Sequence, residues 1–428
     1  MRRALTGRRA LCVAVAALAV AELCVILVGP HGGVTDPASV SAGSYFSAAE
    51  LRRAADFNDP QRWLGLAGLV VEIGTLAILA LWRPRPFRRA LSAAGRRPRL
   101  GAGAVAAAIS LTLVLAGLPL AAIAHERARD FGLATQTLGP WLADQARSAA
   151  IGAVLAALGG SAAILLIRRL GRRFWIGGTV LVIAYAVIFT WLAPVILAPL
   201  FNNFERLPDG PTRSQVLRLG RQAGVDIGQV YRVDASRRST AVNAYVDGLG
   251  SSKRVVLYDN TIRDLTPAER RSIVAHELAH VSRDDVVHGV LFVALIAPLG
   301  VLFVQLMAWA LARRSDDDVR SPGVIPALAL AVTLATLVLG VPGNQLSRRV
   351  EARADTFALE LTGDPAAFIA LQKRLALSNI SDPDPPGVLH FLFGTHPSTL
   401  ERIGAAVAYG REASRPGATA PRRTPAGS

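Results

Sequence analysis

Apolar and polar residues alternate along this chain in long blocks, and seven blocks are apolar enough to cross a bilayer. They cover residues 10–29, 63–82, 101–124, 148–167, 174–200, 286–311 and 322–346. No small-x-small cleavage site follows the first block and further spans do, so it reads as a retained helix rather than a leader. Polar sequence concentrates in residues 201–285 and 347–410. Two spans separate these segments, so both emerge on one membrane face and can build one domain there. The expected order is five transmembrane helices in 1–200, the first half of the polar domain in 201–285, helices six and seven in 286–346, the second half in 347–410 and a disordered tail rich in Arg, Pro, Ala and Ser in 411–428. The fold class is mainly α: a polytopic seven-helix membrane bundle capped by a small α+β domain. Glu22 and Glu72 fall inside apolar spans. Such groups either face the bundle interior or a water-filled cavity, or are protonated and bonded to a neighbouring helix.

Composition strengthens the membrane reading, since 52% of the 428 residues are hydrophobic and 18% are charged. Cys12 and Cys24 both lie in the first apolar block, which excludes a disulfide framework and a cysteine-rich metal site. A net charge of +16 would suit a nucleic-acid partner. Here, however, many arginines sit in short loops between apolar blocks, so they read as orientation signals and no nucleic-acid partner is expected. Loops on the N-terminal side hold 18 arginines and the opposing short loops hold 6. That bias puts the N-terminus in the cytoplasm and, with seven spans, the polar domain on the outer face. Abundant Ala, Arg and Gly with scarce Lys point to a bacterial plasma membrane as the location.

The chemistry lies in His276-Glu277-Leu278-Ala279-His280. Thr266-Pro267-Ala268-Glu269 supplies a helix start, with an N-cap Thr, Pro at the first position and Glu three residues after the cap. Residues four apart on a helix share a face, so both imidazoles can reach one zinc ion, and Glu277 can reach a water bound to it. The helix is expected to run to about Asp285. A tetrahedral catalytic zinc needs a third protein ligand. Glu351, on a segment that continues helically out of the seventh span, is the candidate. Asp355, one turn later, can accept the free ring N–H of a ligand histidine. Glu277 then acts as general base toward the zinc-bound water and returns the proton to the leaving amine. His396 is the preferred candidate for stabilising the oxyanion.

These residues resemble the membrane zinc endopeptidases that include the type I CaaX prenyl proteases and the bacterial heat-shock membrane protease. The resemblance runs from about residue 193 to 403. It is carried by Ala198-Pro199-Leu200-Phe201-Asn202-Asn203-Phe204, Asn243-Ala244-Tyr245-Val246, Lys253 to Asp259, His276 to His280, Ser347-Arg348, Glu351, Asp355 and Thr395-His396-Pro397. It implies seven helices around a large water-filled chamber, one Zn2+ per chain and an edge strand at Asn243 and Ala244 that pairs with extended substrate. The residues agree, because segments 243–246 and 253–259 read as a ribbon turned at Gly248-Leu249-Gly250, and an edge strand is a template for a peptide. Ala279 stands where the family often has Gly, and Asp284 and Asp285 follow the motif where it often has a His. For the CaaX subgroup the resemblance implies a cytosol-facing domain, opposite to the loop charges, and the two orientations stay as alternatives.

The expected function is therefore an integral-membrane zinc metalloendopeptidase whose partners are the lipid bilayer and peptide or protein substrates, membrane-associated or unfolded. CaaX-type processing is a possibility by resemblance. The alternative is a seven-helix transporter or scaffold with a structural zinc domain, which would have four closed ligands and no use for Glu277.

Overall fold

A computed structural model describes residues 2–248, 253–315 and 318–415. The apolar blocks are helical and most of the helices outrun them. The first part of the chain forms α1 (Arg2–Val28), α2 (Ala48–Ala77), α3 (Arg85–Ala94), α4 (Pro98–Asp130), α5 (Leu138–Leu170) and α6 (Phe174–Ile196). Then come β1 (Phe204–Arg206), α7 (Pro211–Gln222), β2 (Gln229–Val233), β3 (Ala244–Asp247), β4 (Arg254–Tyr258), α8 (Asp259–Asp264) and α9 (Pro267–Ser282). The chain returns to long helices with α10 (Asp285–Arg314) and α11 (Ile325–Thr362), and closes with α12 (Pro365–Ser378), α13 (Gly387–Phe393) and α14 (Thr399–Ala413). The expected tail overlaps the end of α14, and from residue 416 onward it lies outside the described residues.

Among the described residues six helical stretches are long and apolar enough to cross a membrane, and one of them, Leu138–Trp191, holds α5 and most of α6. A 3-10 turn at Gly171–Arg173 separates these two helices. Each exceeds the roughly 20 residues that a bilayer crossing requires. The count is six when α5 and α6 are taken together, and seven helices of spanning length when they are taken apart.

Small residues set the bundle's packing. A Cβ on Gly103 would stand 2.8 Å from the Ala157 carbonyl oxygen, and one on Gly160 would stand 2.8 Å from that of Ala102, so α4 and α5 meet backbone to backbone. The two carboxylates inside the apolar spans turn toward α11. Gln345 Nε2 donates to Glu22 Oε1 at 3.0 Å, and Thr333 Oγ1 donates to Glu72 Oε1 at 3.2 Å. Both therefore make interhelical hydrogen bonds, which lowers the cost of a polar group at that depth.

The polar segments fold together around a four-stranded sheet of order β1-β2-β4-β3. β1 and β2 are antiparallel, β2 and β4 parallel, and β3 and β4 antiparallel with Ala244 opposite Leu257. The expected ribbon is thus present as β3 and β4, and β3 is an edge. Its turn at Leu249 and Gly250 lies outside the described residues. Strands β1 and β2 were not foreseen. Val230 and Leu257 of the sheet share a core with Val274 and Leu278 of α9 and Leu371 of α12, which fixes the rotation of α9. α11 has 38 residues. At about 1.5 Å per residue it outreaches a hydrocarbon core of about 30 Å, so its last turns leave the membrane and enter the polar domain.

Candidate metal centre

The helix that carries the histidines starts as its sequence dictates. Thr266 accepts from the Glu269 backbone N–H, Glu269 accepts from that of Thr266, and Pro267 takes the first helical position. The helix ends at Ser282, three residues earlier than expected. Asp284 takes a left-handed conformation with φ 52°, which stops α9 and starts α10 in a new direction.

One face of α9 meets the emerging end of α11. His276 Nε2 lies 3.1 Å from Glu351 Oε2 and 3.3 Å from His280 Nε2, and His280 Nε2 lies 3.6 Å from Glu351 Oε1. The donor atoms of these three residues all fall within 4.8 Å of one another. Two imidazole nitrogens and one carboxylate suit a zinc ion with an open fourth position. The electrostatics fit a cation as well. Burial alone would depress His276, but the Asp355 and Glu351 carboxylates lift it well above its usual range. A pocket lined by these carboxylates favours positive charge, which suits a metal cation.

The far ring nitrogens are held too. His276 Nδ1 lies 2.9 Å from Asp355 Oδ1, and His280 Nδ1 lies 2.9 Å from Asp285 Oδ2. These contacts aim both Nε2 atoms at the centre of the cluster. Each carboxylate has its own arginine: Arg402 Nε donates to Asp355 Oδ2 at 2.8 Å, and Arg353 pairs with Asp285. Burial would raise the Asp355 carboxyl, but Arg402 and His276 outweigh it and hold it at about 2. Asp285 and Arg402 are the functional positions that the sequence reading did not assign. Asp285 sits five residues after His280, where the left-handed turn brings it back over that ring, whereas Arg402 lies 126 residues from His276 with no local signal. Replacing Asp285 with Asn is expected to weaken metal affinity by about 10–100-fold with the helices intact, as read by competition with a zinc chelator.

Glu277 and Asn243 line a cleft of about 560 Å³ that also reaches His276, His396 and Arg402. Burial pushes the Glu277 carboxyl above the ordinary carboxylate range, and the two imidazoles pull it back. His396 Nε2 stands 3.5 Å from Glu351 Oε2, with its Nδ1 2.9 Å from Thr395 Oγ1. The segment that presents it hangs from α11, since Asn344 Nδ2 donates to the Leu392 carbonyl at 2.7 Å and Arg348 donates to that of Gly394. Asn243 immediately precedes β3. Its carbonyl accepts from the Tyr258 N–H at 3.1 Å, while its side-chain oxygen accepts from the Ala244 N–H at 2.9 Å. Antiparallel alternation then turns the backbone groups of Ala244 and Val246 to the free side of the sheet. Ala244 itself is buried.

Comparisons with known proteins agree with this geometry. Residues 207–409 match peptidase family M48, and residues 37–203 match the CAAX prenyl protease N-terminal region of five membrane helices. YhfN of Bacillus subtilis, an uncharacterized metalloprotease, is 30% identical over 300 residues, covering 69% of this chain and 70% of the relative. A CAAX prenyl protease 1 homolog of Oryza sativa is 30% identical over 234 residues, covering 52% of this chain and 53% of that protein. The crystal structure of S. mikatae Ste24p aligns with a TM-score of 0.74 at 18% identity, covering 92% of this chain and 97% of the other, which is a likeness of fold.

Proposed function

This chain belongs to peptidase family M48, and we propose that it is a zinc endopeptidase acting on membrane-associated or unfolded polypeptides. Its class as a multi-pass membrane metalloprotease follows from the family. What supports the finer reading is one observation: His276, His280 and Glu351, from segments 75 residues apart, present their donor atoms to one point beside Glu277. His276, His280 and Glu351 would hold one zinc ion. Zinc bound there supplies a Lewis acid and a water acidified toward neutrality. Glu277 takes the proton from the attacking water and passes it to the leaving amine. His396, exposed at the rim, donates to the developing oxyanion. Asp355 keeps His276 in its Nδ1-protonated form. An extended substrate adds to the free edge at Asn243 and Ala244, and the Asn243 side chain must first release the Ala244 N–H that it now occupies. The scaffold alternative has no use for a half-buried carboxylate at Glu277 beside three ligands, and family membership disfavours it.

The test uses the full chain in detergent with an unstructured peptide, a prenylated peptide ending in Cys-a-a-X and its unprenylated twin. A strong zinc chelator is expected to abolish cleavage, and one equivalent of zinc to restore it. Undiminished cleavage by metal-free protein would overturn the reading. Cleavage confined to the prenylated peptide would narrow the substrate to CaaX processing. The composition points to a bacterial plasma membrane as the site of action.

A further inference from the structure

Between the spans of α2 and α4 the chain builds a helix of its own, α3, with two different faces. Phe87, Leu91 and Ala94 face the bundle: Leu91 belongs to its buried core, and Phe87 and Ala94 pack against it. The contact is close, since a Cβ on Gly101 of α4 would stand 2.1 Å from the Ala94 carbonyl oxygen. α3 is therefore seated on α4 and its orientation is set.

The other face is basic. Arg85, Arg88, Arg89 and Ser92 of α3, joined by Arg96 just past its end, line a concavity of about 400 Å³. All four arginines are exposed, and none of their guanidinium groups has an ion-pair or hydrogen-bond partner among the described residues. Some exposed arginines elsewhere are paired, as Arg147 is with Asp144 and Arg232 with Glu205. Like charges three and four residues apart on a helix repel, so this quartet lacks an anion that the chain does not supply. Arg83 at the same corner is different: it is buried and donates to the Gly323 carbonyl at 2.8 Å.

Position identifies the anion. α3 joins two membrane spans, so it lies where the bilayer meets water. Trp82, 78% exposed at the end of the π-helical turn Ile78–Trp82 that continues α2, is the kind of side chain that sits at headgroup level. The guanidinium fork matches a phosphate bidentately. Further exposed arginines on the same side of the bundle, Arg168, Arg169, Arg172 and Arg173, extend the positive field that a negatively charged leaflet attracts. We propose that the basic face of α3 binds the phosphate of an anionic phospholipid and ties the α2–α4 pair to that leaflet.

Short-chain phosphatidylglycerol, phosphatidylcholine and inorganic phosphate would each be titrated onto the full chain in neutral detergent. The R85Q/R88Q/R89Q/R96Q variant and a control, R168Q/R169Q/R172Q/R173Q, would be run alongside, with thermal melting to check folding. Wild-type protein is expected to prefer phosphatidylglycerol to phosphatidylcholine by about tenfold or more. The preference should vanish in the α3 variant and survive in the control. Equal binding of the two lipids, a preference unchanged in the α3 variant, or equal loss in the control each overturns the proposal. So does a site that inorganic phosphate fills as well as the lipid. A headgroup-photoreactive phosphatidylglycerol gives a readout on the unmutated chain: labelling should fall within residues 82–99, and labelling elsewhere alone sinks the assignment.

Discussion

Glu277→Gln is expected to retain its metal and lose its cleavage activity, with kcat falling on the order of 10²–10⁴-fold. The amide matches the carboxylate in size and leaves the helical register of His276 and His280 unchanged, so the ligand set survives. It cannot accept a proton from water, and among the described residues no carboxylate of the cleft is free to replace it, since Asp382 is paired with Arg62. Glu351 faces both imidazoles, and Asp355 is taken by Arg402 and His276. Metal content by elemental analysis and single-turnover cleavage on the same sample decide the matter. Activity near wild type would remove Glu277 as the base, and loss of metal would make it structural.

Asp355→Ala is expected to do more damage than its distance from the metal suggests. Its side chain is 2% exposed, and both of its oxygens serve the Arg402 guanidinium, whose side chain is 14% exposed. Removing the carboxylate leaves a buried charge without a partner, a loss of about 3–5 kcal/mol. It also frees His276 Nδ1, so metal affinity should fall by about 10–100-fold. The double variant Asp355→Ala/Arg402→Ala removes both charges and should recover much of the melting temperature while metal affinity stays weak. If the single and double variants melt alike, the ion pair is not what the fold depends on there. If Asp355→Ala binds zinc as tightly as wild type, its hold on His276 is without consequence.

Several features of the centre were legible in the sequence because they are local. The four-residue spacing of His276 and His280 puts both rings on one face of any helix, and the cap at Thr266 to Glu269 says that a helix begins there. Glu351 and Asp355 were legible because the phase of the last span carries on into them, and that helix runs unbroken to Thr362. β1 and β2 were missed because strands of three and five residues carry too little pattern, and what holds them is pairing with distant segments. Asp285 was visible only as a departure from the family's pattern. Its role depends on Asp284 taking a left-handed conformation, which no spacing announces.

By itself the sequence determined the membrane helices, the two polar segments that share a face and the helix bearing the paired histidines. Each follows from hydrophobicity or periodicity within a short window, where backbone geometry leaves little choice. Only the tertiary structure decided that α14 brings Arg402 beneath Asp355, that β1 and β2 join the expected ribbon in one sheet, and that the arginines of α3 point away from the bundle. Those arrangements arise from the packing of segments remote along the chain, and no local spacing encodes the distance between such segments.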